Sequence, residues 1–555
     1  QTSSYASEGI ASIMKLLTRK SLSTVTTLTL AVGILVSIPV AAKAAILCDG
    51  KVPVQSCQGT TSDGAPFAMQ VPANFNGTVA LYSHGYRYNI DIPAGIPLVG
   101  GYKITNTPEP VPGGNVDVAK YFLSQGIAFA GSGFARQGFN VDSALKTNVE
   151  LIDIIKKQFP KTNKVIAWGS SLGGMITQGL AEKYPNLISA AAPMCVADNF
   201  QPELTMAGDF LWGVKTLFDP SIKAGNYSAG AAGNAEAVGD IVKVLTVMGK
   251  VQAGISTGKW PDTSSATGKA LEAGGIPVRS ALLLLGLMAG IPTQSAHFDS
   301  ATGPEGALKL SFPLAVSPAL AILENGTTGA ILAILATQDA ELQAGGPVFD
   351  NTKTDYASRI EAERVIFNAA LSGNTAIDAM LGALSAANPG APRAKGNDAA
   401  IAKLQTIHQN TGKINVPTVL MVGTADPITP AGASQRIVDA YAKQYAAEKD
   451  AAFKAYSANK IYTAPKNNLV MAWSKTAASY TKFDSAGAPI TSTPSAPGTN
   501  HCNFTSAQLL FVAKTLVSAV NNGKLPSGGP LVSAARKANL SIDKNYRAPL
   551  LKFYG

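Results

Sequence analysis

The sequence predicts an α/β architecture: a mostly parallel sheet covered by helices on both faces, with a large, mainly helical segment inserted between two sheet-forming halves. Two observations carry this expectation. Short apolar runs alternate with amphipathic helical stretches from about residue 78 to 198, stop, and resume at Val416. The composition, 46% hydrophobic against 14% charged over 555 residues, can bury a sizeable core and excludes a disordered chain.

Taken in order, residues 78–82 read as a strand that runs into Ser83-His84-Gly85-Tyr86. A helix over 118–125 and a strand over 127–130 follow. Residues 143–159 form an amphipathic helix, with Leu145, Val149, Ile152 and Ile155 at helical spacing and Pro160 as its stop. Residues 164–168 are a strand, 174–184 a helix and 187–194 a further buried strand. Strand, helix, strand with short connections implies parallel pairing.

Residues 199–414 break the rhythm. They are rich in Ala, Gly and Leu, mostly helical in pattern, and include two strongly apolar pieces at 281–291 and 314–335. Such pieces serve as the core of a helical subdomain, as the lining of an apolar cleft, or as both. After 416–422 the alternation returns and ends with a helix at 506–520. The expected division is a leader over 1–44, a first core part over 45–198, a cap over 199–414 and a second core part over 415–555.

The leader is expected from Met14-Lys15-Leu16-Leu17-Thr18-Arg19-Lys20, an apolar stretch at 25–40, and Ala42-Lys43-Ala44 as a small-x-small cleavage site. The apolar stretch is short and broken by Thr and Pro39, which argues against a stable membrane anchor. Leu47 before Cys48 argues against lipid attachment. Cleavage after Ala44 sends the chain to the periplasm or outside the cell. Residues before Met14 are assigned no role.

Loss of Lys15, Arg19, Lys20, Lys43 and Glu8 with the leader takes the net charge from +10 to +7. There is no long Lys/Arg run of the kind that tracks phosphates, so nucleic acid is not an expected partner. The even set Cys48, Cys57, Cys195 and Cys502 suits an oxidising compartment. Cys48 and Cys57, close in sequence, are expected to close an N-terminal loop. The absence of a Cys-x-x-Cys pair and the small number of histidines argue against a structural zinc site.

The chemistry centres on Gly169-Ser170-Ser171-Leu172-Gly173, a G-x-S-x-G motif between an expected strand and an expected helix. There the serine sits on a strained turn that bulky flanking residues would block, and the helix N-terminus points at the same spot. Ser171 is the expected nucleophile; Ser170 occupies the x position. A serine needs a base to take its proton. His84 precedes the nucleophile, and His297 and His408 lie in the insertion as surface or packing residues. His501, on a loop after the resumed sheet, stands where the base belongs in the chain order serine, acid, histidine. Asp426, just past the strand ending at Val422, is the expected acid, with Asp198 as its competitor. Gly131-Ser132-Gly133 also follows a strand, but Arg136 stands where a dinucleotide loop needs glycine.

This ordered set resembles the α/β-hydrolase superfamily over about residues 78–200 and 415–520. The resemblance implies an eight-stranded sheet and an oxyanion hole built from two backbone amides. One belongs to Leu172, and the second, in the loop where His84-Gly85-Tyr86 is similar to the family's His-Gly motif, to Tyr86. It implies that His84 shapes this loop. The chain also resembles secreted tannases and feruloyl esterases, in which a disulfide ties the serine and histidine segments together. Cys502 after His501 matches that pattern; residue 170 is Ser where those enzymes carry Cys. Cys195 could then partner Cys502, with two buried thiols as the alternative.

The function expected is cleavage of carboxylic esters, small or polymeric, through an acyl-enzyme, without metal or organic cofactor. A serine exopeptidase is the alternative and would need an acidic anchor on the cap, where Glu361 and Glu363 stand. A non-catalytic binding protein would be expected to lack a triad member, and all three positions are filled. The sequence does not bear on oligomeric state.

Overall fold

The computed structural model describes residues 45–552 apart from Lys51, Gly258, 301–311, 408–409, 483 and 486–489. The leader expected in 1–44 and His408 lie outside the described residues.

One nine-stranded sheet organises the chain, in the order β1-β2-β3-β5-β4-β6-β7-β8-β9. Its strands are β1 (Ala45–Cys48), β2 (Val54–Thr60), β3 (Pro66–Pro72), β4 (Thr78–Ser83) and β5 (Ala128–Ser132). They are followed by β6 (Lys164–Ser170), β7 (Ala190–Met194), β8 (Thr418–Gly423) and β9 (Leu469–Ser474). Strands β5, β4, β6, β7, β8 and β9 pair in parallel, and β1, β2 and β3 add an antiparallel edge. The described sheet therefore has one strand more than the eight the resemblance implies. Cys48 and Cys57 are cross-strand partners on β1 and β2 and are joined by a disulfide.

The parallel strands are buried on both faces, which explains their continuous apolar runs. Val79 and Leu81 of β4 pack on one side with helices α2 (Val141–Gln158) and α3 (Leu172–Lys183). Ala80 and Tyr82 pack on the other with α1 (Val116–Ser124) and the later helix 506–522. The expected strand at 187–194 is shorter than its apolar run, beginning at Ala190.

Between β7 and β8 the chain is helical. Its described helices include α4 (Phe200–Leu217), α5 (Gly230–Thr257), α6 (Ala266–Ala273), α7 (Val278–Ala289), α8 (Phe312–Ala344), α9 (Asn374–Ala383) and α10 (Asp398–Ile407). They enclose an apolar core of their own, in which residues 281–285 of α7 are fully buried. Ser317–Ala344 of α8 is long and apolar enough to cross a membrane, but 78% of its most apolar window is buried inside the protein. This helix bridges the two cores: Ile322 and Ile334 pack among the insertion helices, Ala336 and Ala340 against the sheet side. Asp339 fastens it there, accepting from the Phe139 amide (2.6 Å) and from Asn89 Nδ2 (2.8 Å).

After β8 come α11 (Ala431–Asn459), β9, α12 (Ser506–Asn522) and α13 (Gly528–Lys537). Thr505 and Gln508 form a capping box that starts α12. Helix α13 lies beyond 506–520, where the final helix is expected from the sequence.

Candidate active site

The strand β6 ends at Ser170, and α3 begins at Leu172. Ser171, at the turn between them, has φ 59° and ψ −125°. A non-glycine residue with positive φ is strained, and such strain persists only where the surroundings over-determine it. Here the surroundings are close-packed backbone. A Cβ on Gly169 would lie 2.3 Å from the Gly173 carbonyl oxygen, and one on Gly173 would lie 2.0 Å from the Ser83 oxygen. Gly173 is therefore required by the approach of β4, and Gly169 first by the carbonyl of Gly173 itself and then by β4.

The turn lifts the serine toward a histidine from the far end of the chain. His501 Nε2 lies 2.8 Å from Ser171 Oγ, and His501 Nδ1 lies 2.9 and 3.0 Å from the two carboxylate oxygens of Asp426. The buried Asp426 carboxylate also accepts from the amides of Ile428 (2.9 Å), Thr429 (3.0 Å) and Cys502 (3.0 Å). Those amides fix its orientation, and it in turn fixes the imidazole. The acid and histidine loops are knitted by a bridge between Ala425 and Thr499.

A second restraint acts on the histidine. Cys502 is disulfide-bonded to Cys195, which follows β7. Asn500 (φ 60°), Cys502 (φ 51°) and Cys195 (φ 40°) all occupy the left-handed region, so the His501 turn is held in an unfavourable backbone shape from both sides.

The other candidates are engaged elsewhere. Asp198 is buried and accepts a hydrogen bond from Arg436 Nε. His84 is buried, its Nδ1 lies 2.7 Å from the Gly85 carbonyl, and its ring packs on Phe134. Burial, reinforced by Arg87, pushes its pKa down to about 4, so it is neutral at neutral pH. His297 forms a buried pair with Glu324, Nδ1 to Oε1 2.6 Å, and this carboxylate raises its pKa. Glu363 pairs with Lys552 at 2.8 Å, and neither it nor Glu361 lines the cavity at Ser171. The glycines of Gly131-Ser132-Gly133 accommodate a crossing chain: added Cβ atoms would meet the carbonyl oxygens of Glu109 and Asn106 at 2.1 and 1.6 Å.

Ser171 and Leu172 open into a cavity walled by α4, α8 and the loop after β8. Phe200, Leu204, Phe210, Leu332 and Ile428 make it largely apolar, with Tyr86, Asn325 and Thr429 among its polar lining. Gly85 lies against the serine, its Cβ position 3.3 Å from Ser171 Cβ. The apolar piece at 314–335 thus serves both as core and as cleft lining. One lining residue escaped the sequence reading. Glu203, in the first turn of α4, is part of this wall with both carboxyl oxygens buried, and an acid so placed reads from sequence as an ordinary helix-start charge.

No family model matches the chain, and no curated relative does. Among solved structures it is similar to feruloyl esterase B from Aspergillus oryzae, at 12% identity over 85% of this chain and 81% of that one, TM-score 0.32. It is also similar to an esterase from Aspergillus oryzae, at 11% identity over 85% and 80% of the two chains, TM-score 0.36.

Proposed function

We propose that the protein is a secreted serine hydrolase of the α/β-hydrolase type that cleaves carboxylic esters through an acyl-enzyme. The observation that carries this reading is the continuous contact from Asp426 through His501 to Ser171 at the mouth of an apolar cavity. In this reaction His501 Nε2 takes the Ser171 proton as Oγ attacks the ester carbonyl, and Asp426 stabilises the imidazolium. The tetrahedral oxyanion is held by the amide of Leu172, an unpaired donor of the first turn of α3, and by that of Tyr86. His501 then protonates the departing alcohol and activates the water that releases the acid. These groups supply the reaction without a cofactor.

Residues 199–414 act as the cap, enclosing the acyl or alcohol group over the core formed by 45–198 and 415–555. The two disulfides suit an oxidising compartment, in keeping with a leader removed after Ala44.

A fluorophosphonate probe should label the purified protein and not Ser171→Ala. p-Nitrophenyl acetate, butyrate and longer esters should be turned over by the first alone. Labelling that survives in Ser171→Ala, or turnover of aminoacyl and peptidyl nitroanilides without ester turnover, would overturn the reading.

A further inference from the structure

Helix α11 outruns the core it packs on. Residues 431–441 are buried or half-buried, whereas 446–458 are mostly exposed. The projecting end carries Phe453, 63% exposed, and Tyr456, 41% exposed, and Tyr462 in the chain beyond is 53% exposed. The rings gather: the Phe453 and Tyr456 centroids lie 6.4 Å apart, and those of Tyr456 and Tyr462 6.3 Å. Scattered apolar side chains are ordinary on a surface, but a cluster on a projecting end marks a place of contact.

The charges beside the rings are basic. Lys449, Phe453, Tyr456 and Lys460 stand at i, i+4, i+7 and i+11, one stripe of the helix and its C-cap. Lys460 Nζ lies 5.9 Å from the Tyr456 ring centroid, and exposed Lys454 follows Phe453. Among the described residues none of these three lysines forms an ion pair. The acids of the stretch, Glu448 and Asp450, fall off the stripe, and Glu448 accepts from Gln444 Nε2 at 2.8 Å. We propose that this end of α11 docks reversibly on an anionic lipid surface, with the rings set among the headgroups and the lysines paired with their phosphates.

Rings flanked by lysines suit that surface, where aromatic side chains settle at the headgroup level and each cation gains from the negative potential. A sugar polymer would stack on rings lying in a common plane, yet here the ring planes meet at 41° and 88°. A nucleic acid strand needs a groove that tracks its backbone, and this is a projecting helix end. The docking does not depend on the chemistry at Ser171.

The test is co-sedimentation of the purified protein with phosphatidylcholine vesicles containing about a quarter phosphatidylglycerol, beside vesicles of phosphatidylcholine alone. Binding should require the anionic lipid and weaken several-fold between about 0.05 and 0.5 M salt. Lys449→Gln with Lys460→Gln, and separately Phe453→Ser with Tyr456→Ser, should each lower the partition coefficient by about tenfold or more. Unchanged melting temperatures report that both variants are folded, and p-nitrophenyl acetate turnover in solution should not move. No binding, equal binding to both vesicles, or binding kept in both variants overturns the proposal. So does a dimer in light scattering that Phe453→Ser disperses, which would assign the face to a second copy. Retention on an insoluble polysaccharide in place of vesicles, lost in the ring variant, would assign it to a sugar polymer. Vesicle binding without ester turnover defeats the catalytic reading alone, and turnover without vesicle binding defeats this inference alone.

Discussion

Cys195 and Cys502 are joined by a disulfide across 307 residues of sequence, and Cys502 is the residue next to His501. The bond ties the histidine loop to the end of β7, one strand away from the strand that carries Ser171. It encloses the whole helical insertion, and the chain leading to His501 also bonds to that insertion, the Ala496 amide donating to the Ala296 carbonyl at 2.9 Å.

Cys195→Ser and Cys502→Ser should therefore each lower stability by about 2–5 kcal/mol, the range for loss of a native disulfide. The left-handed turn around His501 would also lose a restraint, so kcat should fall more than KM changes. Thermal unfolding and ester kinetics on both variants check this, and a variant with unaltered kcat would show that the turn holds itself.

Asp426→Asn keeps the shape of the side chain and removes its charge. An NH2 group would replace either the oxygen that accepts from Ile428 and Thr429 or the one that accepts from Cys502, and His501 would lose the charged partner that sets its tautomer. A fall in kcat on the order of 10³–10⁴-fold is expected. Asp198→Asn, at the buried partner of Arg436, should cost stability while leaving kcat within a few-fold, and the reverse result would move the acid to Asp198.

Gly173→Ala places a methyl 2.0 Å from the Ser83 oxygen and 2.6 Å from that of His84, both backbone atoms. Neither can retreat without moving the end of β4. A loss of about 1–3 kcal/mol from overpacking is expected, together with a large drop in kcat/KM because the serine turn shifts. Urea unfolding beside ester turnover would separate the two effects.

Glu203 makes stability depend on pH. Its folded-state pKa, about 8, lies above the ordinary 4.5, so the folded protein holds a proton that the unfolded chain releases. The stabilisation is complete below about pH 4.5 and disappears as pH rises toward 8. Glu203→Gln removes this slope. The melting temperature of the variant minus that of the wild type should rise between about pH 5 and pH 9, and a flat difference would mean the carboxyl is already ionised at low pH.

Much of this was legible in the residues. The apolar runs of β4 to β8 are continuous because those strands are buried on both faces, and their short length between helical stretches locates them. Gly169 and Gly173 around Ser171 announced a turn with no room for side chains, and the positive φ of Ser171 with the contacts to Ser83 is the geometry such a turn needs. The chain order of Ser171, Asp426 and His501 marked which loops could meet, because parallel strands deliver their following loops to one edge of the sheet.

Other features were decided only in three dimensions. Of the antiparallel edge, β2 has mixed burial and exists through its pairing, whereas β3 alternates, with Phe67, Met69 and Val71 turned to the core, over too few residues to stand out. Whether α8 was core or cleft could not be read from its composition, since both need apolar side chains; its path across both cores decides that it is each in turn. Glu203 is the sharpest case. In sequence it is a charge at a helix start, and only the packing of α4 over the serine turns it inward, away from water. Local chemistry determines which residues can form a turn, a strand or a relay. The environment of a single carboxyl depends on long-range packing, and no short stretch of sequence contains it.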